Sequence, residues 1–477
     1  MKINKIIISL IILFSIFMIS TKIDAKEITS SSEIKLNNSK ISTKVTDNKE
    51  STYIEVSKND EITISAKEDI NSIYIIYEYS SKTGKITGSE KTAEIGENNY
   101  LHEFIDVKEK IGKTQEIKIK YDEEVKIADI YVLGDGEIPS FVEKWNPPYK
   151  KADILLFSTH SDDEQLFFLG LMPTYVARGA YFQVVYFTNH NDNPQRLHEQ
   201  LHGLYTVGIR NYPIFGVVPD AYSESLEGAI SNMKKANLSE EIATKFQVEN
   251  IRRFKPQIVV GHDEKGEYSH GQHILNTYLL EKAIFNASDK DYDEESYKKY
   301  GTWQISKLYL HLYEKGQIKM DYDIPLEYFN GRTAYEVSKE GYSKHLSQQW
   351  TWFTKWINGP NNSYKNATEI TTYSPLLYGL YFTNVGEDVK KNDMFENLTY
   401  YKEQEQKEKE KEEEEKHKQE EAKKKENQEE TKQNKKNNNK KTVIIIAIII
   451  IFLIYLRAKA IKAKKRKKKK GRYRPKH

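Results

Sequence analysis

Ile154-Leu155-Leu156-Phe157-Ser158-Thr159-His160-Ser161-Asp162-Asp163-Glu164 runs from four apolar residues into an imidazole and three consecutive carboxylates. A short apolar run bounded by polar residues reads as a buried strand, and helical spacing from Glu164 to Arg178 follows at once. The chemistry-bearing side chains therefore fall on the turn after a strand, where open α/β sheets place their sites. A second junction of this kind, Ile258-Val259-Val260, leads to His270-Gly271-Gln272-His273.

Outward from these two junctions, apolar runs alternate with helical patterns. Strands are expected at 154–157, 182–188, 214–218, 258–261 and 307–312. Helices are expected at 164–178, 196–207, 239–254 and 271–285. This alternation argues for an α/β domain over 148–398, a mostly parallel sheet with helices on both faces. The aromatic-rich stretch from Tyr335 to Phe395 completes it.

Upstream the period changes to two, as in Ile117-Lys118-Ile119-Lys120-Tyr121 and Ile73-Tyr74-Ile75-Ile76-Tyr77. Several such runs separated by turn residues predict a smaller all-β, sandwich-like domain over 51–137. Its aromatic residues read as core, so a spacer is favoured over a glycan-binding module. Residues 26–50, rich in Ser, Thr, Asn and Lys, read as a linker.

The ends carry their own signals. Residues 1–25 pair Lys2 and Lys5 with an apolar run and end at Ala25, the pattern of a secretory signal peptide. Residues 401–441 are almost entirely Lys, Glu, Gln and Asn and predict a solvated, charged stalk. An apolar run at 442–457 predicts one transmembrane helix, and 458–477 is a basic tail. Basic residues beside a span stay on the cytoplasmic side, so the expected arrangement is single-pass in the cell membrane. The catalytic domain is then extracellular and the C-terminus cytoplasmic, with the span and basic tail as the membrane contacts. The formal charge of the chain is only +3, less than the tail supplies alone. No bulk electrostatic case for a nucleic-acid partner remains. Cysteine is absent, which excludes disulfides and thiolate metal ligands; a metal must be held by His, Asp or Glu.

His160 and Asp163 are three apart on one turn, close enough to bind one ion together, and His273 supplies a third donor from the second loop. Two neutral nitrogens and one carboxylate suit one divalent metal ion, Zn²⁺ by preference, with a position left open. Asp162 is placed to take a proton from an attacking water. His270, as imidazolium, is placed to stabilise an oxyanion or protonate a leaving amine. That is the inventory of a metal-dependent hydrolase, and two His, one Asp and an open water position would serve amides or esters alike. The remaining histidines, among them His190, His198, His202, His262, His311 and His345, read as packing residues. Trp350, Trp352 and Trp356 divide between sugar stacking and core or lid packing.

These residues resemble the LmbE/PIG-L-type N-acetylglucosaminyl deacetylases. That family has a strand followed by His-Pro-Asp-Asp-Glu and, later, a strand, a loop and His-x-x-His. Arg196-Leu197-His198-Glu199 and Gly208-Ile209 resemble its intervening helix. Ser161 stands where the family has Pro, and Gly271-Gln272 where it has Pro-Asp. The resemblance covers roughly 151–398. It implies a Rossmann-like fold and Zn²⁺-dependent removal of an N-acetyl group from a glucosamine-type sugar, with an N-acetylated glycan as substrate. By position it implies His160, Asp163 and His273 as ligands, Asp162 as base, His270 as acid or oxyanion partner, and Arg196 and Tyr268 as substrate contacts. The competing expectation is a non-catalytic adhesin or glycan-binding surface protein with a degenerate deacetylase domain.

Overall fold

The computed structural model describes residues 26–470. The expected signal peptide at 1–25 and the last seven positions of the basic tail lie outside the described residues. The chain forms two units, one ending at Lys402 and one beginning at Glu403.

In the first unit, residues 33–133 build two antiparallel sheets. The six-stranded sheet has Glu33–Leu36, Ile62–Ser65, Glu116–Tyr121 and Gly84–Thr87 as its four inner strands, and the four-stranded sheet centres on Val125–Leu133 and Ser72–Tyr77. One core takes Ile62, Ile64, Ile117 and Ile119 from the first sheet and Ile73, Ile75, Ile127 and Val132 from the second. Glu116–Tyr121 alternates strictly between exposed and buried residues, the physical content of its period-two pattern. A short helix, Val107–Ile111, interrupts the strands.

The 26–50 stretch is not a linker. Glu33–Leu36 pairs with Ile62–Ser65, and Ile28, Ile34 and Val45 are buried. Its few apolar residues are too sparse to make a periodic signal, yet each one packs into or against the core.

The α/β part holds a six-stranded sheet in the order Phe182–Tyr186, Ile154–Ser158, Ile258–Gly261, Lys307–His311, Leu377–Thr383, Ile318–Lys319. The first four strands are parallel, and the last two pair antiparallel. Alternate strand residues feed two separate cores. Ile154 and Leu156 pack with Leu201, Leu204 and Val337 on one face. Leu155 and Phe157 pack with Val248, Ile251 and Ile284 on the other. Helices thus cover both faces, and the strands read as continuous apolar runs because both sides are buried.

The chain runs from Ile154–Ser158 outward to Phe182–Tyr186, then returns to place Ile258–Gly261 on the other side of the first strand. The order reverses between Ile154–Ser158 and Ile258–Gly261, so a crevice opens beyond their carboxyl ends. The two sequence junctions of interest border that crevice.

Two expected elements differ. Residues 214–218 form only isolated bridges, Ile214 to Val185 and Val218 to Thr188. The helix expected at 164–178 is broken into Asp163–Leu166 and Leu171–Ala177. Gly170 lies between them at φ 82°, and a Cβ there would meet Tyr322 Cγ at 2.3 Å, so the chain turns where only glycine fits.

The second unit continues the helix Tyr401–Lys470, which carries the charged and apolar runs without a break. Its segment Asn434–Arg466 is long and apolar enough to cross a membrane, by length and composition.

Candidate metal centre

His160 follows the strand Ile154–Ser158, and Asp163 opens the short helix after it. His273 lies in the first turn of the helix Gly271–Asn286, after the strand Ile258–Gly261. Although 113 residues separate the two histidines, His160 Nδ1 is 3.2 Å from His273 Nε2. Asp163 Oδ2 is 3.0 Å from the first and 3.1 Å from the second. The three atoms form a nearly equilateral triangle. A cation about 2.1 Å from each donor fits roughly 1 Å off its plane, the arrangement of three ligands around a tetrahedral ion.

The protons of both rings are held on the far side from Asp163. His273 Nδ1 is 2.7 Å from Glu267 Oε2, so its N–H donates to that carboxylate and its Nε2 lone pair faces inward. His160 Nε2 is 3.0 Å from Gln272 Oε1 and 3.5 Å from Asp220 Oδ1, so its Nδ1 lone pair faces inward as well. Two lone pairs and a carboxylate oxygen meeting at 3 Å repel unless a proton or a metal cation sits among them. The electrostatics agree. Against the downward push of burial, Asp163 and Glu267 raise His273 to about 10. Despite burial, His273 and His160 hold Asp163 well below the usual carboxylate range. The pocket selects positive charge, and its N₂O donor set suits Zn²⁺.

Glu267 is the centre of this arrangement. It is fully buried and also takes Nδ1–H of His262 at 2.8 Å and of His311 at 2.6 Å. His262 comes within 3.7 Å of Asp163, but its Nε2 accepts the Thr159 N–H at 3.0 Å. Its lone pair is committed, so it orients Glu267 and is not a ligand. His190 accepts the Ser161 N–H at 2.9 Å and faces Asp220 at 3.4 Å. His345 meets Glu164 at 3.0 Å. Of the histidines read as packing residues, His190, His262, His311 and His345 therefore brace the centre. Glu267 and Asp220 carry no pattern that singles them out in the chain.

Asp162 stands beside the triangle at φ 120°, a strained conformation for a residue with a side chain. Burial pushes it up to about 7 against the pull of Arg196. Arg196, expected to touch substrate, also makes contacts within the protein. Its guanidinium donates to Asp162 Oδ1 at 3.1 Å and to the Ser161 carbonyl, and lies 3.6 Å from Asp220. It positions Asp162.

His270 caps the helix Gly271–Asn286, its Nδ1 accepting the Gln272 N–H at 3.2 Å. Burial, with His160 and His273 nearby, pushes it down to about 2. The hydrogen bond accepted at Nδ1 leaves its ring proton on Nε2, where the sequence suggested an imidazolium. Gly271 allows the segment carrying Asp220 to press against this helix, since a Cβ there would lie 2.2 Å from Ser223 Oγ. Tyr268 flanks the centre, 5.4 Å from the His270 ring and 5.5 Å from that of His273. Phe353 and Trp352 continue outward from it. Trp356 is buried, whereas Trp352 is 51 % and Trp350 84 % exposed. His160, Asp162 and His270 each retain only 5–6 % exposure, so little of the centre meets solvent.

An open α/β sheet with a His–Asp–His triangle at its switch point, and a strained carboxylate beside it, defines a candidate metal-centre protein. The family described as PIG-L, GlcNAc-PI de-N-acetylase, matches residues 155–284, and this part of the chain belongs to the LmbE/PIG-L family. A 1D-myo-inositol 2-acetamido-2-deoxy-alpha-D-glucopyranoside deacetylase from Geodermatophilus obscurus is 27 % identical over 181 residues, 33 % of this chain and 60 % of that protein. Its counterpart from Catenulispora acidiphila is 25 % identical over 186 residues, 34 % of this chain and 56 % of that one. The match thus spans less than two thirds of these curated relatives. Among solved structures, an N,N'-diacetylchitobiose deacetylase from Pyrococcus horikoshii aligns at 14 % identity and TM-score 0.34, over 49 % of this chain and 85 % of that one.

Proposed function

We propose that this chain is a zinc-dependent N-deacetylase that removes the acetyl group from an N-acetylglucosamine-type sugar in an extracellular or cell-envelope glycan. The observation that carries the reading is the donor triangle of His160, Asp163 and His273 with Asp162 beside it. The relatives named above, whose names describe removal of acetyl from an acetamido sugar, support the bond and the sugar class.

A zinc ion held by His160, Asp163 and His273 would supply Lewis acidity toward the amide carbonyl and toward the attacking water. Asp162 takes a proton from the attacking water and returns it to the departing amine, so that amide and water become amine and acetate. Its strained backbone and the Arg196 contact hold the carboxylate at one place for both transfers. His270 donates its Nε2–H to the oxyanion as the carbonyl carbon becomes tetrahedral. His160 and His273 keep their orientation because Gln272 and Glu267 hold their outer protons. Tyr268 and Trp352 offer apolar faces to a sugar ring at the mouth. Asn434–Arg466 spans the membrane, with the following basic residues on the cytoplasmic side.

The test is acetate release by the full chain in detergent from a panel of N-acetylated glycans, with O-acetyl esters and phosphoesters as controls. Release from the N-acetylated members, abolished by chelator and restored by zinc, is expected. Hydrolysis of esters alone, or activity indifferent to chelation, overturns the reading.

A further inference from the structure

A second group of metal-ligating side chains lies where the β-rich and α/β parts of the first unit meet. It draws on Glu50, His102 from the strand His102–Asp106, Glu143, and His198 and His202 from the helix Pro194–Thr206. His198 and His202 are four apart, which puts both rings on one helix face. One donor atom from each of Glu50, His102 and His202 falls within 4.8 Å of the other two.

The orientation of the rings is the informative part. Glu143 is 5 % exposed at its side chain, and its oxygens take the Nδ1 protons of His102 at 2.9 Å and His202 at 2.6 Å. The Trp145 indole N–H holds the same carboxylate at 3.0 Å. Both rings are thereby fixed with Nε2 turned away from Glu143. Glu50 Oε1 lies 2.7 Å from His202 Nε2 and 3.8 Å from His102 Nε2. His198 Nδ1 lies 2.8 Å from His102 Nε2. A buried carboxylate that collects the outer protons of two histidines, so that their inner nitrogens meet another carboxylate, is the arrangement Glu267 makes at the first centre. It is how metal sites orient their imidazole ligands.

We propose that Glu50, His102 and His202, with His198 as the fourth donor, form a structural site for a divalent cation of the Zn²⁺ class. Three nitrogens and one carboxylate oxygen are the donor count of a closed structural site, and His198 Nδ1 approaches it beside His102 Nε2. The ion binds the N-terminal segment and the β-sheet to the Pro194–Thr206 helix. That helix also carries Arg196, which holds Asp162, so the clamp fixes the register of the positioning residue.

The test counts metal in the full chain purified in detergent, stripped with chelator and reloaded with zinc or cobalt. The wild type is expected to retain about two zinc ions and the double variant His160→Ala/His273→Ala about one. The cobalt form of that double variant should show the intense visible bands of a tetrahedral ion. Adding Glu50→Gln should weaken zinc binding at least ~10-fold, and adding His202→Asn should abolish it, with the circular dichroism spectrum unchanged. If His202→Asn fails to fold, the Glu50→Gln affinity decides alone. A folded double variant that binds neither zinc nor cobalt overturns the proposal and leaves a metal-free hydrogen-bonded cluster, as does zinc affinity unmoved by Glu50→Gln. Because the readout is metal content in a chain lacking the first centre, its outcome is independent of the deacetylase reading.

Discussion

Glu267 holds His273 by a hydrogen bond of 2.7 Å from the histidine Nδ1 to the glutamate Oε2, and the same carboxylate closes on His262 and His311. One buried side chain thus sets the tautomer of a candidate ligand and ties together the ends of two neighbouring strands.

Glu267→Gln keeps the shape but removes the charge and one acceptor oxygen. Zinc affinity should fall ~10–100-fold, read by competition with a chromophoric chelator. An affinity equal to that of the wild type would mean that Glu267 only packs.

Asp162→Asn leaves the triangle intact and removes the proton acceptor. Acetate release should fall ~10²–10⁴-fold, with bound zinc retained by elemental analysis. Loss of zinc in step with activity would place Asp162 among the ligands.

Trp352 is half exposed beside Tyr268. Trp352→Ala should raise KM for the glycan about 10-fold with kcat little changed, the signature of binding made equally in ground and transition states. A fall in kcat at constant KM would assign the ring to closing the site instead.

Glu281 gives a pH dependence remote from the metal centre. Burial, then the neighbouring Glu264, push it up to about 7 from 4.5. The folded chain therefore binds this proton more tightly than the unfolded chain. Its stabilising share is complete below about pH 4.5 and is lost as pH rises through about 7. Glu281→Gln, neutral at every pH, should gain about 1 kcal/mol over the wild type at pH 8 after allowance for solvent screening at this half-buried site. Denaturant titration at pH 5 and pH 8 measures it. A difference that does not grow with pH refutes the assignment.

The strand, turn and helix at each junction were legible because they depend on neighbours. Ile154 to Phe157 is apolar throughout since both faces of a parallel strand are covered, and His160 follows by one turn. His160, Asp162, Asp163, His270 and His273 announce themselves by residue type and spacing after such strands. The break at Gly170 was not legible, because it depends on Tyr322 occupying the space a Cβ would need. Nor was the ordered 26–50 stretch, whose scattered Ile and Val residues acquire meaning only against sheets formed by later residues.

The chain alone thus determined the α/β order and which residues are candidates for the chemistry, since these rest on periodicity and short-range spacing. Tertiary structure decided which way each imidazole faces. Glu267 reaches His311 across 44 residues, Glu143 reaches His202 across 59, and Arg196 reaches Asp162 across 34. Such partners are chosen by distance and direction in the folded crevice, and hydrogen bonds between distant residues leave no periodic trace along the chain.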